Sequence, residues 1–74
     1  MINKERRLIY QCFVAGKMIP YDDQKRCHPE IRKLIQEGKV KRINDEQISI
    51  TDTGISELKE VLDTDIIRRE AIYF

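Results

Sequence analysis

The sequence predicts a small domain of the α+β class. Apolar residues recur at helical spacing in three segments, near residues 4–15, 29–37 and 52–62. Between the second and third of these segments, two short stretches with strand character surround a polar turn. A chain of 74 residues buries only about 60% of the surface that it exposes when unfolded. We therefore expect one domain over residues 1–74, with a thin core.

The first helix is indicated by its ends and by its apolar stripe. Asn3 is suited to cap its beginning, charged residues fill its first turn, and Gly16 is suited to end it. The apolar residues at helical spacing are Leu8, Ile9, Cys12 and Phe13. Residues 17–19 form a short extended piece, because Pro20 biases the residue before it away from a helix.

The segment 21–28 is ambiguous, since it offers polar residues for about one helical turn around 22–26. Tyr21 is its clearest anchor, and we expect the ring to lie against the core. Pro29 then suits the first position of a second helix, which Gly38 ends. The apolar stripe of this helix is Ile31, Leu34 and Ile35. At 100° per residue, its opposite side carries Pro29, Lys33 and Gln36, flanked by Arg32 and Glu37.

A β-hairpin follows the second helix. Its predicted strands are 40–43 and 47–51, joined by the polar turn 44–46. Ile48 and Ile50 share one face of the second strand, while Ser49 points away. A two-stranded hairpin is marginal in water, so its apolar face is expected to lie on the helices. Thr51 is suited to cap a third helix, with Asp52 near the positive end of the helix dipole.

The end of the chain, residues 63–74, is predicted to be a docking or dimerisation tail. The stripe of the third helix runs through Ile55, Leu58, Leu62 and Ile66, and residues 63–65 either interrupt that helix or restart it. Chain termini fray unless they are docked, and this one is strongly apolar. It is expected to dock on its own core or on a partner. The residues predicted for a homodimer interface are Ile66, Ile67, Ile72, Tyr73 and Phe74.

Charge is distributed unevenly along the chain, although the formal net charge is only +1. Residues 25–42 hold seven basic side chains against two acidic ones, a net charge of +5. Residues 43–65 hold seven acidic side chains against one basic, a net charge of −6. The basic part is therefore suited to meet phosphate, and the acidic part is not.

Several classes of function are not indicated. Cys12 and Cys27 lack metal-site or disulfide-framework spacing and are interpreted as free thiols, so neither a metal nor a cofactor is expected. With one histidine, no glycine-rich phosphate loop and little room for a pocket, an enzyme is not expected either. The sequence shows no membrane span or signal-peptide pattern, which predicts a cytoplasmic protein.

The order of the predicted elements resembles that of a winged helix-turn-helix domain. The stretch LIQEGKVKR at 34–42 resembles the passage from recognition helix to wing in MarR- and PadR-type bacterial transcriptional regulators. The stretch ISITDTG at 48–54 resembles the return strand of their wing. The resemblance implies a three-helix core, a two-stranded wing and a C-terminal helix. Residues 21–28 give eight positions where the family uses about 12 for its supporting helix and turn.

The resemblance implies binding to double-stranded DNA, with helix 29–37 in the major groove. Arg32, Lys33 and Gln36 would face the bases. The residues expected to meet phosphates are Lys25, Arg26, Lys39, Lys41 and Arg42. Acidic residues at the tip of the wing, 44–46, disfavour its insertion into DNA, so contact is expected from the first strand of the wing. An alternative stays open, in which the same fold is a protein–protein interaction module that does not bind DNA.

Overall fold

A computed structural model describes residues 3–19 and 29–73, which form three helices and one antiparallel sheet. The elements in chain order are α1 (Lys4–Ala15), α2 (Pro29–Gln36), β1 (Val40–Arg42), β2 (Gln47–Ile50), α3 (Asp52–Val61) and β3 (Ile72–Tyr73). The strands lie in the order β1-β2-β3. The α+β class is confirmed. The predictions made for Tyr21, Lys25, Arg26, Cys27 and His28 lie outside the described residues, as does Phe74.

The helix α1 begins and ends where the sequence predicts. The side chain of Asn3 accepts a hydrogen bond from the backbone N–H of Arg6 at 2.8 Å, and Gly16 follows the last turn in a left-handed conformation. The apolar stripe differs in part from the prediction. Leu8 is 47% exposed, whereas Tyr10 is fully buried. The tyrosine belongs to the buried face because its hydroxyl has a carboxylate partner inside the fold.

A tight turn connects α2 to β1. Gly38 has a φ of +74°, the backbone N–H of Gly38 bonds to the carbonyl of Ile35, and the N–H of Lys39 bonds to the carbonyl of Leu34. This pair of bonds is the Schellman arrangement, which favours glycine at the left-handed position. The strand β1 therefore starts after a connection of three residues, 37–39, and the two elements pack against each other.

The hairpin is held at its base by Thr51 and Gly54. Val40 pairs with Ile50 and Arg42 with Ile48, so the buried isoleucines of β2 face the core as predicted. The hydroxyl of Thr51 donates to the carbonyl of Gly38 at 2.6 Å and accepts from the backbone N–H of Gly54 at 3.2 Å. A Cβ atom at Gly54 would lie 1.9 Å from the carbonyl oxygen of Lys39. The Thr-x-x-Gly pattern thus caps α3 and permits its close approach to β1.

The tail differs from the prediction of a continued helical stripe. The helix α3 ends at Val61, Leu62 has extended backbone, and Ile66 is 70% exposed. Ile72 pairs with Ile48 in β2, which makes the tail a third strand of the sheet rather than a helix. The backbone N–H of Ile19 donates to the carbonyl of Tyr73 at 2.9 Å, so the predicted extended piece 17–19 lies beside the edge of β3 that does not pair with β2.

One core joins all of these elements. Its buried members are Ile9, Tyr10, Cys12, Phe13, Ile19, Ile31, Leu34, Val40, Ile48, Ile50, Ile55, Leu58 and Ile72. Every helix and every strand contributes to it, as a thin core in a short chain requires. Within the described ranges, no helix has both the length and the apolar character needed to cross a bilayer.

Candidate nucleic-acid interface and the ion-pair network behind it

The two sides of α2 differ sharply in charge. Arg32, Lys33 and Gln36 are exposed on its outward side, as their spacing predicts. Of the two acidic residues in the same segment, one is buried, and the other has a side chain 41% exposed but is paired with Arg6 of α1. Glu30 is 3% exposed, and the carboxylate of Glu37 just beyond the helix turns toward α1. The outward side is therefore cationic although the segment 29–37 holds two basic and two acidic residues.

The guanidinium of Arg6 on α1 donates hydrogen bonds to both Glu30 and Glu37. Its Nε donates to Oε1 of Glu30 at 2.6 Å, and its Nη2 donates to Oε2 of Glu37 at 2.6 Å. Its Nη1 donates to Oε1 of Glu57 on α3 at 2.8 Å and to Oε1 of Glu37 at 3.3 Å. Arg6 itself is only 8% exposed. One buried cation thus joins α1 to both α2 and α3.

Three further groups complete this network. The side-chain amide of Asn3 donates to Oε2 of Glu30 at 2.8 Å, and the hydroxyl of Tyr10 donates to Oε1 of Glu57 at 2.6 Å. The ammonium of Lys39 donates to Oε1 of Glu37 at 3.0 Å and to Oε2 of Glu57. We call the set of Asn3, Arg6, Tyr10, Glu30, Glu37, Lys39 and Glu57 the Arg6 network. Each of its buried carboxylates has at least two donors, which offsets much of the cost of burying them.

The protonation equilibria follow from these contacts. Burial alone would raise the pKa of Glu30, but hydrogen bonds from Asn3 and Arg6 outweigh it and hold the pKa below the ordinary value. Burial also opposes ionisation of Glu57, whose pKa is nevertheless lowered by its donors. Hydrogen bonds from Arg6 and Lys39 lower the pKa of Glu37 to about 2. All three carboxylates are therefore ionised at neutral pH.

The same contacts raise the pKa values of the donors. Hydrogen bonds to Glu57 and Glu37 raise the pKa of Lys39 above its ordinary value. Burial and the hydrogen bond to Glu57 raise the pKa of the Tyr10 hydroxyl. The tyrosine therefore stays protonated and acts as a donor. With Glu30, Glu37 and Glu57 against Arg6 and Lys39, the network holds three negative and two positive charges.

The structure brings together only part of the predicted phosphate-binding set. Lys39 belongs to the Arg6 network, with a side chain 17% exposed, instead of lying on the outer surface. Lys41 and Arg42 are exposed on β1, directly after the turn from α2. Arg42 lies 3.7 Å from Asp45 across the hairpin turn, and its Nε donates to the carbonyl of Asn44 at 3.3 Å.

The sequence analysis missed Arg6, Tyr10 and Glu57. A charged residue in the first turn of a helix is usually solvated, and nothing in the spacing of Arg6 distinguishes it from Arg7. Its partners are 24, 31 and 51 residues away in the chain. The available signal was helical spacing: Arg6 precedes Ile9, Tyr10 and Phe13 by three, four and seven residues. This spacing places Arg6 on the buried face of α1.

The predicted dimer residues are split between the core and the surface. Ile72 is 5% exposed inside the core, and Ile67 packs partly against it. The burial of Ile72 corrects its assignment to a dimer interface, because its side chain is already covered by its own chain. Ile66 and Tyr73 are exposed. The tail therefore docks on its own domain, which is one of the two outcomes that the sequence left open.

Among the described residues, the remaining candidate groups show no sign of a chemical centre. In the part of the chain that the structure describes, no group of three or more His, Cys, Asp or Glu residues could hold a metal ion. Cys12 is a buried free thiol, and burial raises its pKa. Comparison of the chain with protein-family models, curated proteins and solved structures gave no match.

Proposed function

We propose that this chain is a winged-helix domain that binds double-stranded DNA through the outward side of α2. The observation that carries the proposal is the segregation of charge on that segment. Glu30 is buried against Arg6, and the carboxylate of Glu37, although its side chain is 41% exposed, is paired with Arg6 and Lys39. The exposed residues of the outward side are then Arg32, Lys33 and Gln36, which make it cationic. Such a surface suits the phosphate-lined major groove, because no acidic side chain of α2 faces it.

The dimensions of α2 suit this role. An α-helix with its side chains is about 10–12 Å in diameter, which fits the width of the major groove, and α2 has eight residues. Arg32 and Lys33 are suited to donate to guanine, and the amide of Gln36 to pair with adenine. Lys41 and Arg42 are exposed on β1, which follows α2 after the three-residue turn 37–39, and we expect them to meet phosphates beside the groove. The hairpin 40–50 then corresponds to a wing.

The Arg6 network supports α2 in this proposal. A helix of eight residues is marginal by itself and needs tertiary contacts to hold it. Ile31 and Leu34 pack in the core, while Glu30 near the start of α2 and Glu37 just after its end are both bonded to Arg6. The network therefore anchors both ends of the helix to α1. This anchoring fixes the orientation of the outer residues of α2 before DNA binds, which lowers the conformational entropy lost on binding.

A duplex titration at several salt concentrations tests the proposal. The change Lys33→Ala is expected to weaken binding, because it removes a cation from the centre of the outer side of α2. Because Lys33 is placed toward the bases, its loss should weaken binding by about 1–3 kcal/mol at each salt concentration between about 50 and 200 mM. Lys59→Ala is the matched control, since Lys59 is also an exposed lysine and lies on the acidic helix α3. Its binding should equal that of the wild type.

Two results would overturn the proposal. One is the absence of any salt-dependent duplex binding by the wild-type chain at low ionic strength. The other is an equal loss of affinity in Lys33→Ala and Lys59→Ala, which would indicate unspecific attraction by net charge alone. Thermal melting of both variants checks that neither substitution alters folding, as expected for exposed side chains.

A further inference from the structure

Lys39 is the residue at which the end of α2, the base of the hairpin and the start of α3 meet. Its backbone N–H donates to the carbonyl of Leu34 in the last turn of α2 at 2.9 Å, and its carbonyl accepts from the backbone N–H of Thr51 at 3.1 Å. Gly54 of α3 lies so near the same carbonyl that no Cβ atom fits between them. The main chain of Lys39 therefore contacts all three parts of the fold immediately before β1 begins.

The side chain of Lys39 makes a second set of contacts to the same parts of the fold. Its ammonium donates to Oε1 of Glu37, just after α2, at 3.0 Å and to Oε2 of Glu57 on α3. Only 17% of the side chain is exposed, whereas a surface lysine normally keeps its ammonium in water. Hydrogen bonds from the two carboxylates raise the pKa of this ammonium, so it is charged at neutral pH. Lys39 thus holds α2 and α3 together through both its main chain and its side chain.

The next lysine along the chain has the opposite environment. Lys41 is exposed, and it follows the buried Val40 on β1, so its side chain lies on the solvent side of the sheet. Lys41 can therefore reach a phosphate without losing a contact within the protein. Lys39 can do so only by breaking its bonds to Glu37 and Glu57. Two lysines that are two residues apart are thus suited to different roles.

The proposed DNA site needs α2 and β1 to keep a fixed relative position. Bases would be read from α2, whereas Lys41 would meet phosphate from β1, so one duplex can be contacted by both only when their spacing matches it. The hydrogen bonds of the turn at Gly38 fix the chain on the α2 side. The bond from Lys39 to Glu57 adds a contact to α3, which lies outside that turn. This bond is placed to set the direction in which β1 leaves α2.

We infer that Lys39 is a positioning residue for the proposed DNA site, which acts through Glu57 and Glu37 and does not contact phosphate. Its effect on DNA rests on the proposed function, whereas the placement of β1 is measurable without DNA. A lysine that binds phosphate competes with its carboxylate partners, so loss of a partner would strengthen DNA binding. A positioning lysine needs its partners, so loss of Glu57 weakens binding even though a negative charge is removed from a protein that binds a polyanion.

Duplex titration at one fixed ionic strength tests the direction of this effect. Lys39→Met and Glu57→Gln should each weaken binding by about two- to tenfold, because side chains that are no longer held in place must be ordered on binding. The double variant should bind no more weakly than the weaker single variant, since both changes remove the same interaction. Lys59→Met is the matched control at an exposed lysine of α3 and should bind as the wild type does. Far-UV circular dichroism establishes that each variant is folded.

Residual dipolar couplings of the backbone N–H groups, recorded without DNA, test the placement of β1 directly. In the wild type, the couplings of α2 and of the hairpin should fit one alignment tensor, as expected of one rigid unit. Lys39→Met should require a separate tensor for each, whereas Lys41→Met, a change at an exposed side chain, should keep one. Wild-type couplings in Lys39→Met would overturn the inference, and so would tighter DNA binding by Glu57→Gln. A wild-type chain that binds no duplex would overturn the proposed function instead, and the couplings would still decide whether Lys39 positions β1.

Discussion

Replacement of Arg6 by methionine is expected to destabilise the folded state by about 3–5 kcal/mol at neutral pH. Methionine has a similar length and helix propensity, so the change removes mainly the charge and its hydrogen bonds. Without the guanidinium, the carboxylate of Glu30 remains 3% exposed with only Asn3 as a donor. A buried charge that loses its partner keeps its desolvation cost, and this sets the size of the effect.

Burial determines which partner of Arg6 dominates this loss. Glu37 contributes most to the raised pKa of the guanidinium, but its side chain is 41% exposed, so solvent screens that pair. The side chain of Glu30 is 5% exposed and is not screened in this way. A chain of 74 residues has a total stability of about 4–11 kcal/mol. The loss of one buried partner is therefore a large fraction of the whole.

Urea denaturation followed by far-UV circular dichroism measures the effect. Arg7→Met is the matched control, because Arg7 is the exposed neighbour on the same helix and should change stability by less than about 0.5 kcal/mol. The double variant Arg6→Met with Glu30→Met should recover much of the loss, since both buried polar groups are then absent. A loss below about 1 kcal/mol for Arg6→Met would refute the reasoning, because that is the size expected of an exposed ion pair.

Three other predictions concern the turn, the carboxylates and the tail. Gly54→Ala should cost at least about 2 kcal/mol in urea denaturation, because its Cβ would lie 1.9 Å from the Lys39 carbonyl oxygen. Gly38→Ala, with no atom within 4 Å of its Cβ, should cost only about 1–2 kcal/mol of left-handed strain, and a larger loss than at Gly54 would contradict this account. The pKa of Glu37 is lowered from 4.5 to about 2, so the folded state binds fewer protons than the unfolded state. Its stabilising effect is complete above about pH 4.5 and should be lost as the pH falls toward 2, and a flat stability profile there would contradict the ion pairing. Ile72→Ala should cost about 2–5 kcal/mol if β3 is docked as described, and wild-type stability in that variant would show that it is not.

Local chemistry explains the elements that the sequence predicted well. Asn3 and Thr51 cap helices because their side-chain oxygens reach backbone N–H groups within the next three residues. Gly38 ends α2 because the left-handed conformation costs it little. Ile48 and Ile50 are buried because a strand alternates its faces. Each of these features depends on residues within about one helical turn.

The tail could not be assigned by the same means. Its isoleucines fit a helical stripe as well as a strand, since short apolar runs do not distinguish the two. What decided the outcome was the free edge of β2, which offers backbone hydrogen bonds to Ile72 and Tyr73 from a strand more than 20 residues earlier. Pairing with that edge satisfies the backbone of the tail and buries Ile72 in the core.

The sequence by itself determined the α+β class, the capped helices, the hairpin and the outward positions of Arg32, Lys33 and Gln36, because these follow from short-range spacing. Only the tertiary structure decided which charges remain at the surface. The partners of Arg6 are 24, 31 and 51 residues away, and no local pattern reports them. Their convergence buries Glu30 and pairs Glu37 and Lys39 within the Arg6 network. The physical reason is that a buried guanidinium requires carboxylates from whichever elements the fold brings beside it.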